Sequence, residues 1–210
     1  MRQAFLWALC FALAPALATA NTGREWNFTV LLDEREIGNH RFYVNEHDGQ
    51  HRVESDARFT VKFLFFDAYS YVHEARERWN GNCLETIESR TDDNGERLAV
   101  RGVRRDGRFE VMASDGRTAL PPCIMSFAYW NPAMLDQSRL LNAQTGELTA
   151  VRIEPLGEEA VMVRDTSVRA RRYALHASKF RIDVWYASGD EWVQLESRTD
   201  GGRLLRYLIQ

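Results

Sequence analysis

Trp26, Phe28, Val30 and Leu32 alternate with Asn27, Thr29 and Leu31, a period of two that predicts an amphipathic strand. The chain turns over Asp33 to Gly38 and returns through residues 40–44, and Asp48-Gly49 then marks a hairpin. A longer strand follows, with Val53, Ser55, Ala57, Phe59, Val61, Phe63 and Phe65 on one face. Its other face carries Arg52, Glu54, Asp56, Arg58, Thr60 and Lys62 before turning apolar at Leu64 and Phe66. From there to Val72 both faces are apolar or aromatic, which predicts cover on both sides. Tyr69, Tyr71, His73, Ala75, Glu77 and Trp79 continue one face of the next strand to a Gly81-Asn82 turn. Short strands over residues 83–90, 98–104 and 109–113 then alternate with turns at Asp93-Asn94-Gly95, Asp106-Gly107 and Asp115-Gly116. That spacing predicts an antiparallel meander.

The alternation stops at Leu120 and resumes only near Leu148. Between them lies Pro121-Pro122-Cys123-Ile124-Met125-Ser126-Phe127-Ala128-Tyr129-Trp130-Asn131-Pro132. Asn131-Pro132 has the form of an N-cap followed by proline at the first helical position, predicting a short helix over residues 132–141. Met134, Leu135, Leu140 and Leu141 would form its buried side. Thr145-Gly146 turns into a strand at 148–153, and the meander runs on through turns at Gly189-Asp190 and Asp200-Gly201-Gly202. The expected fold is all-β: a single curved antiparallel sheet, or open half-barrel, with the short helix on its concave side. Two echoes run through it. Residues 87–92 recur almost verbatim as 195–200, and the spacing of Val30, Ile37 and Phe42 matches that of Val161, Val168 and Tyr173. Duplication and convergent hairpin chemistry both account for them.

Composition sets the compartment. Arg2, the apolar run from Ala4 to Ala18 and Ala18-Thr19-Ala20 form the three parts of an export signal cleaved after Ala20. Residues 21–210 are then expected to form a single β-rich domain. Removing Arg2 leaves 26 basic against 30 acidic side chains, a net charge of −4. That balance carries no nucleic-acid footprint. Lys62 and Lys179 are the only lysines, and the scattered arginines match codon usage in a GC-rich bacterium, placing the chain in a periplasm. Beyond the signal only Cys83 and Cys123 remain, and an even count in an exported chain predicts a disulfide.

Motifs with catalytic mechanics are absent: there is no Gly-x-Ser-x-Gly elbow and no glycine-rich phosphate loop. His40, His47 and His51 stand seven and four apart and invite a metal, but solvated turn histidines explain the latter two. His73 and Glu74 point to opposite faces of a strand, whereas Tyr71, His73 and Glu77 share one and would form a hydrogen-bonded cluster. The aromatic content is more pointed. Phe63, Phe65, Phe66, Tyr69, Tyr71, Phe127, Tyr129 and Trp130 come from two segments only. Either the central stretch plugs an ordinary core, or these rings line a cavity for a lipid or other apolar ligand.

The Pro-x-Cys-x-Met-Ser-Phe-Ala-Tyr-Trp-Asn-Pro run resembles an uncharacterised family of exported bacterial proteins, domain of unknown function 6134. Residues 140–147, Phe65-Phe66, His73-Glu74, 79–83 and 88–96 share the likeness, which spans nearly the whole exported chain. The resemblance implies one domain and transfers no catalytic residue. More distantly, residues 185–207 are similar to lipoprotein-carrier-like half-barrels, in which a curved sheet holds acyl chains. The expected function is a non-enzymatic periplasmic protein, without cofactor, that binds a lipid or apolar molecule. The alternative is a structural or interaction protein of the envelope with a filled core.

Overall fold

Alternation along this chain becomes pairing between neighbours. In the computed structural model, which describes residues 22–63 and 66–210, the first run comprises β1 (Thr22–Leu32), β2 (Arg35–His47), β3 (Gln50–Phe63), β4 (Phe66–Asn80), β5 (Cys83–Asp93), β6 (Glu96–Arg105), β7 (Arg108–Ala113) and β8 (Gly116–Leu120). Each pairs antiparallel with the next. A ribbon of β9 (Arg139–Leu141) and β10 (Leu148–Ala150) interrupts the meander. It resumes in β11 (Arg152–Val163), β12 (Thr166–His176), β13 (Arg181–Ala187), β14 (Glu191–Arg198) and β15 (Leu204–Ile209). Because β15 pairs antiparallel with β1, both runs merge into one thirteen-stranded sheet whose edges are β11 and β8. The sheet is open, as expected.

Turn chemistry explains most boundaries. Asp33-Glu34, Asp48-Gly49, Asn94-Gly95, Asp106-Gly107 and Arg164-Asp165 all have positive φ at both positions. That is the sign pattern of a type I′ turn, whose twist matches the flanking strands. The first is a two-residue turn, so β2 begins at Arg35 rather than beyond Gly38. The two echoes fall on unequal ground: Ile87 lies three strands after β2, and Leu195 two strands after β12. Strand order therefore favours convergent hairpin chemistry over duplication.

The central helix is shorter than its sequence suggests. Asn131 caps it, its side chain accepting from the Ala133 amide at 3.1 Å, but only a 3₁₀ turn over Pro132–Asp136 follows. Leu140 and Leu141 belong instead to β9, paired with Thr149 and Leu148. Partners outside the segment decide this, because the Leu141 amide donates to Met125 O at 2.8 Å and the Phe127 amide to Leu141 O at 3.2 Å.

Curvature follows from what the segment touches. The Tyr186 hydroxyl of β13 donates to Tyr129 O at 2.8 Å, and the Ser89 hydroxyl of β5 donates to Ala143 O. Strands β13 and β5 are seven places apart in the sheet, which is about 34 Å if flat. Both reach one narrow stretch of backbone, so the sheet curls around it. Ile124, Met125, Ala128, Met134, Leu140 and Leu141 pack with Trp26, Phe28, Phe42, Phe59, Trp79 and Trp192 in a continuous core. On the convex side Arg52, Glu54 and Arg58 meet solvent. Val72, expected under cover, is exposed as well. A Cys83–Cys123 disulfide, with Cα atoms 4.8 Å apart, fastens β5 to the segment. Beside it the Leu84 amide donates to Ile124 O at 3.0 Å.

Candidate functional site

Strands β2, β3 and β4 turn Phe42, Val53, Ser55, Tyr71, His73, Ala75 and Glu77 inward at every second position. Opposite them the central segment presents Ser126, Phe127, Ala128, Tyr129 and Trp130, and the loop after β9 adds Asn142, Ala143 and Gln144. Phe180, Ile182, Ser197 and Tyr207 complete the wall from the other limb of the sheet. Together they line a partly open cavity of about 300 Å³. The volume lies at the lower end of the range for small-molecule sites.

Tyr71, Phe127, Tyr129 and Trp130, singled out in the sequence, border this space. Tyr69 does not; its hydroxyl donates to Asp93 at 2.7 Å. Phe65 and the side chains of Phe63 and Phe66 lie outside the described residues, as does the expected export signal at 1–20. Trp130 stands edge-on to Trp79, with ring centres 5.6 Å apart, and 5.2 Å from His51. Its indole N–H is buried without a partner among the described residues. His40 is in the cavity wall, whereas His47 and His51 flank the β2–β3 turn, so the three histidines do not converge. Among the described residues no group of three His, Cys, Asp or Glu is placed to hold a metal ion.

Polar groups missed as site residues supply the cavity's chemistry. His40 Nε2 lies 2.7 Å from Ser55 Oγ, and its ring stacks on Phe42 at 4.1 Å. The contact is that of a nucleophile and its base, but among the described residues Nδ1 is buried with no partner, so none of them accepts from Nδ1 to orient the ring for proton abstraction. Burial, and secondarily the proximity of His73, holds the His40 imidazole well below its ordinary range. His73 Nδ1 contacts Thr91 Oγ1 at 2.8 Å, and burial lowers its pKa to about 4. Glu77 is buried, accepting from Trp79 Nε1 at 2.9 Å, with the Ser126 hydroxyl as a further neighbouring donor. Desolvation pushes its carboxyl up to about 7, against the pull of those two donors. The Tyr71 hydroxyl donates to Gln144 Oε1 at 3.0 Å, locking the loop to β4. His40 could have been found from sequence, because it is in phase with Phe42 and Val44; its neighbours in space could not.

Comparison places this architecture among known proteins. The profile of the family described as Domain of unknown function (DUF6134) matches residues 28–210. A crystal structure of a beta-barrel-like protein of Domain of Unknown Function DUF1849 from Brucella abortus superposes with a TM-score of 0.66 at 11% identity. That superposition covers 89% of this chain and 94% of the other, and it shows the fold alone. No curated protein matches the sequence.

Proposed function

This chain belongs to the DUF6134 family, and from that premise we propose that it is a non-enzymatic periplasmic protein that binds a small, largely apolar molecule inside its curled sheet. One observation carries the reading: an aromatic-walled cavity of about 300 Å³ remains between the concave face and the central segment. Apolar walls with a few convergent polar groups are the usual make-up of a ligand site. Its size suits one chain or a compact ring system rather than a two-chain lipid. A cavity of that size supports binding over the alternative of an envelope protein with a filled core. The Cys83–Cys123 disulfide supports an oxidising compartment, and the export signal at residues 1–20 agrees with it.

Titration with the neutral fluorophore N-phenyl-1-naphthylamine tests this. Saturable one-to-one binding is expected, and Ala75→Phe, which projects a ring into the cavity, should abolish it while the protein stays folded by circular dichroism. Absence of saturable binding to the wild type would overturn the proposal, as would full binding by a folded Ala75→Phe variant.

A further inference from the structure

The chemistry of the ligand can be narrowed, on the premise that the cavity binds one. Glu77 is the one carboxyl group among the described residues that border it, and no arginine or lysine does, in a chain with 27 basic side chains. Glu77 is more than nine-tenths buried, at 8% exposure. Its hydrogen-bond partner, the Trp79 indole, and the neighbouring Ser126 hydroxyl are uncharged donors. Across the sheet it faces Val53 of β3 and Ile87 of β5, neither of which titrates. A buried carboxylate without a countercharge is unfavourable unless something else brings the charge.

The cavity's own histidines do not bring it. His40 is engaged with Ser55 and His73 with Thr91, and burial keeps both neutral near pH 7. His51 lies behind Trp130 and pairs loosely with Glu46 at 3.9 Å. Tyr71, Tyr129 and Tyr207 also face the space, and burial raises all three phenols, so they stay uncharged. Their rings line the space with Phe127, and an aromatic ring carries a quadrupole whose face is the negative pole. Aromatic walls with a buried carboxyl repel an anion and favour a cation.

We propose that the cavity takes a small organic cation, a protonated amine or quaternary ammonium on a compact apolar body. The charge sits against Glu77, and the body lies on the rings of Tyr71, Phe127 and Tyr129. A fatty-acid carboxylate is the wrong sign for this site. Binding should draw the Glu77 carboxyl into its ionised form and so release part of a proton near pH 7.

Three probes separate the charge types: benzyltrimethylammonium, its uncharged isostere neopentylbenzene, and 3-phenylpropanoate. In displacement of N-phenyl-1-naphthylamine from the wild-type protein, the cation should act at a concentration at least about tenfold below the isostere. The carboxylate should be weakest. Glu77→Gln should collapse the ratio between cation and isostere toward one, and Glu77→Asp should retain part of it. Calorimetry at pH 7 in two buffers of different ionisation enthalpy should detect proton release with the cation and none with the isostere. Equal or weaker displacement by the cation, with the neutral fluorophore still bound, would overturn the cation assignment and leave the ligand-binding reading intact. Failure of the fluorophore and all three probes to bind the wild type would remove both. The wild-type ranking decides the question even if a Glu77 variant does not fold.

Discussion

Glu77 and His73 stand four positions apart on one face of β4, and burial moves them in opposite directions. The Glu77 carboxyl titrates near 7 in the folded protein against 4.5 unexposed to these effects, so the folded state holds more protons between those values. Its contribution is therefore present below pH 4.5 and lost as pH rises to about 7. The His73 imidazole titrates near 4 against 6.5, so its contribution is present above 6.5 and lost as pH falls toward 4. At about 1.4 kcal/mol per pH unit, each displacement corresponds to roughly 3 kcal/mol. Glu77→Gln removes the first effect only. The stability of the variant relative to wild type should thus rise by roughly 3 kcal/mol between pH 4 and pH 8, read from urea unfolding at each pH. A difference independent of pH would show that Glu77 does not titrate in the folded interior.

At the scale of single elements, the β2–β3 pairing depends on one missing side chain. Gly38 has φ +151° and pairs with Phe59. A Cβ there would sit 1.9 Å from the Arg58 carbonyl oxygen of the neighbouring strand. Backbone cannot yield as a flexible side chain would, so Gly38→Ala should cost more than about 1 kcal/mol and lower the urea midpoint. An unchanged midpoint would mean that β2 and β3 separate there at little cost. The central segment shows the opposite balance between local signal and context. Its N-terminal cap was legible because Asn-Pro is a local code, while the end of the helix was not. Leu140 and Leu141 carry the same apolar character in a helix as in a strand, and Met125 and Phe127 supplied the backbone partners that made β9.

Over the whole molecule, the segment between β8 and β10 is both roof of the cavity and filler of the core. Its disulfide to Cys83 closes a loop of sequence separation 40. Chain-entropy arithmetic assigns such a crosslink roughly 4 kcal/mol. Cys83→Ala/Cys123→Ala should therefore unfold at a clearly lower urea concentration than the oxidised protein. It should also bind N-phenyl-1-naphthylamine more weakly, because the roof is less firmly held. Equal midpoints for the oxidised protein and the variant would refute a structural role for the bridge.

Much of this fold was readable along the chain, because its determinants are local. Strand faces follow from alternation at period two, hairpins from Asp-Gly and Asn-Gly pairs, and the disulfide from an even pair of cysteines behind an expected export signal. Sequence also marked Tyr71, Phe127, Tyr129 and Trp130, since aromatics concentrated in two segments stand out without a structure. It did not reveal that His40, Ser55 and Tyr207 share a space with them. Alternation assigns each residue a face but says nothing of how far the sheet bends. Only the closing of β15 onto β1 and the curl around the central segment bring the two limbs together. Glu77 illustrates the division: its inward direction was set by its place on β4. Its loss of water, and hence its raised pKa, arose only when the curled sheet and the segment enclosed it.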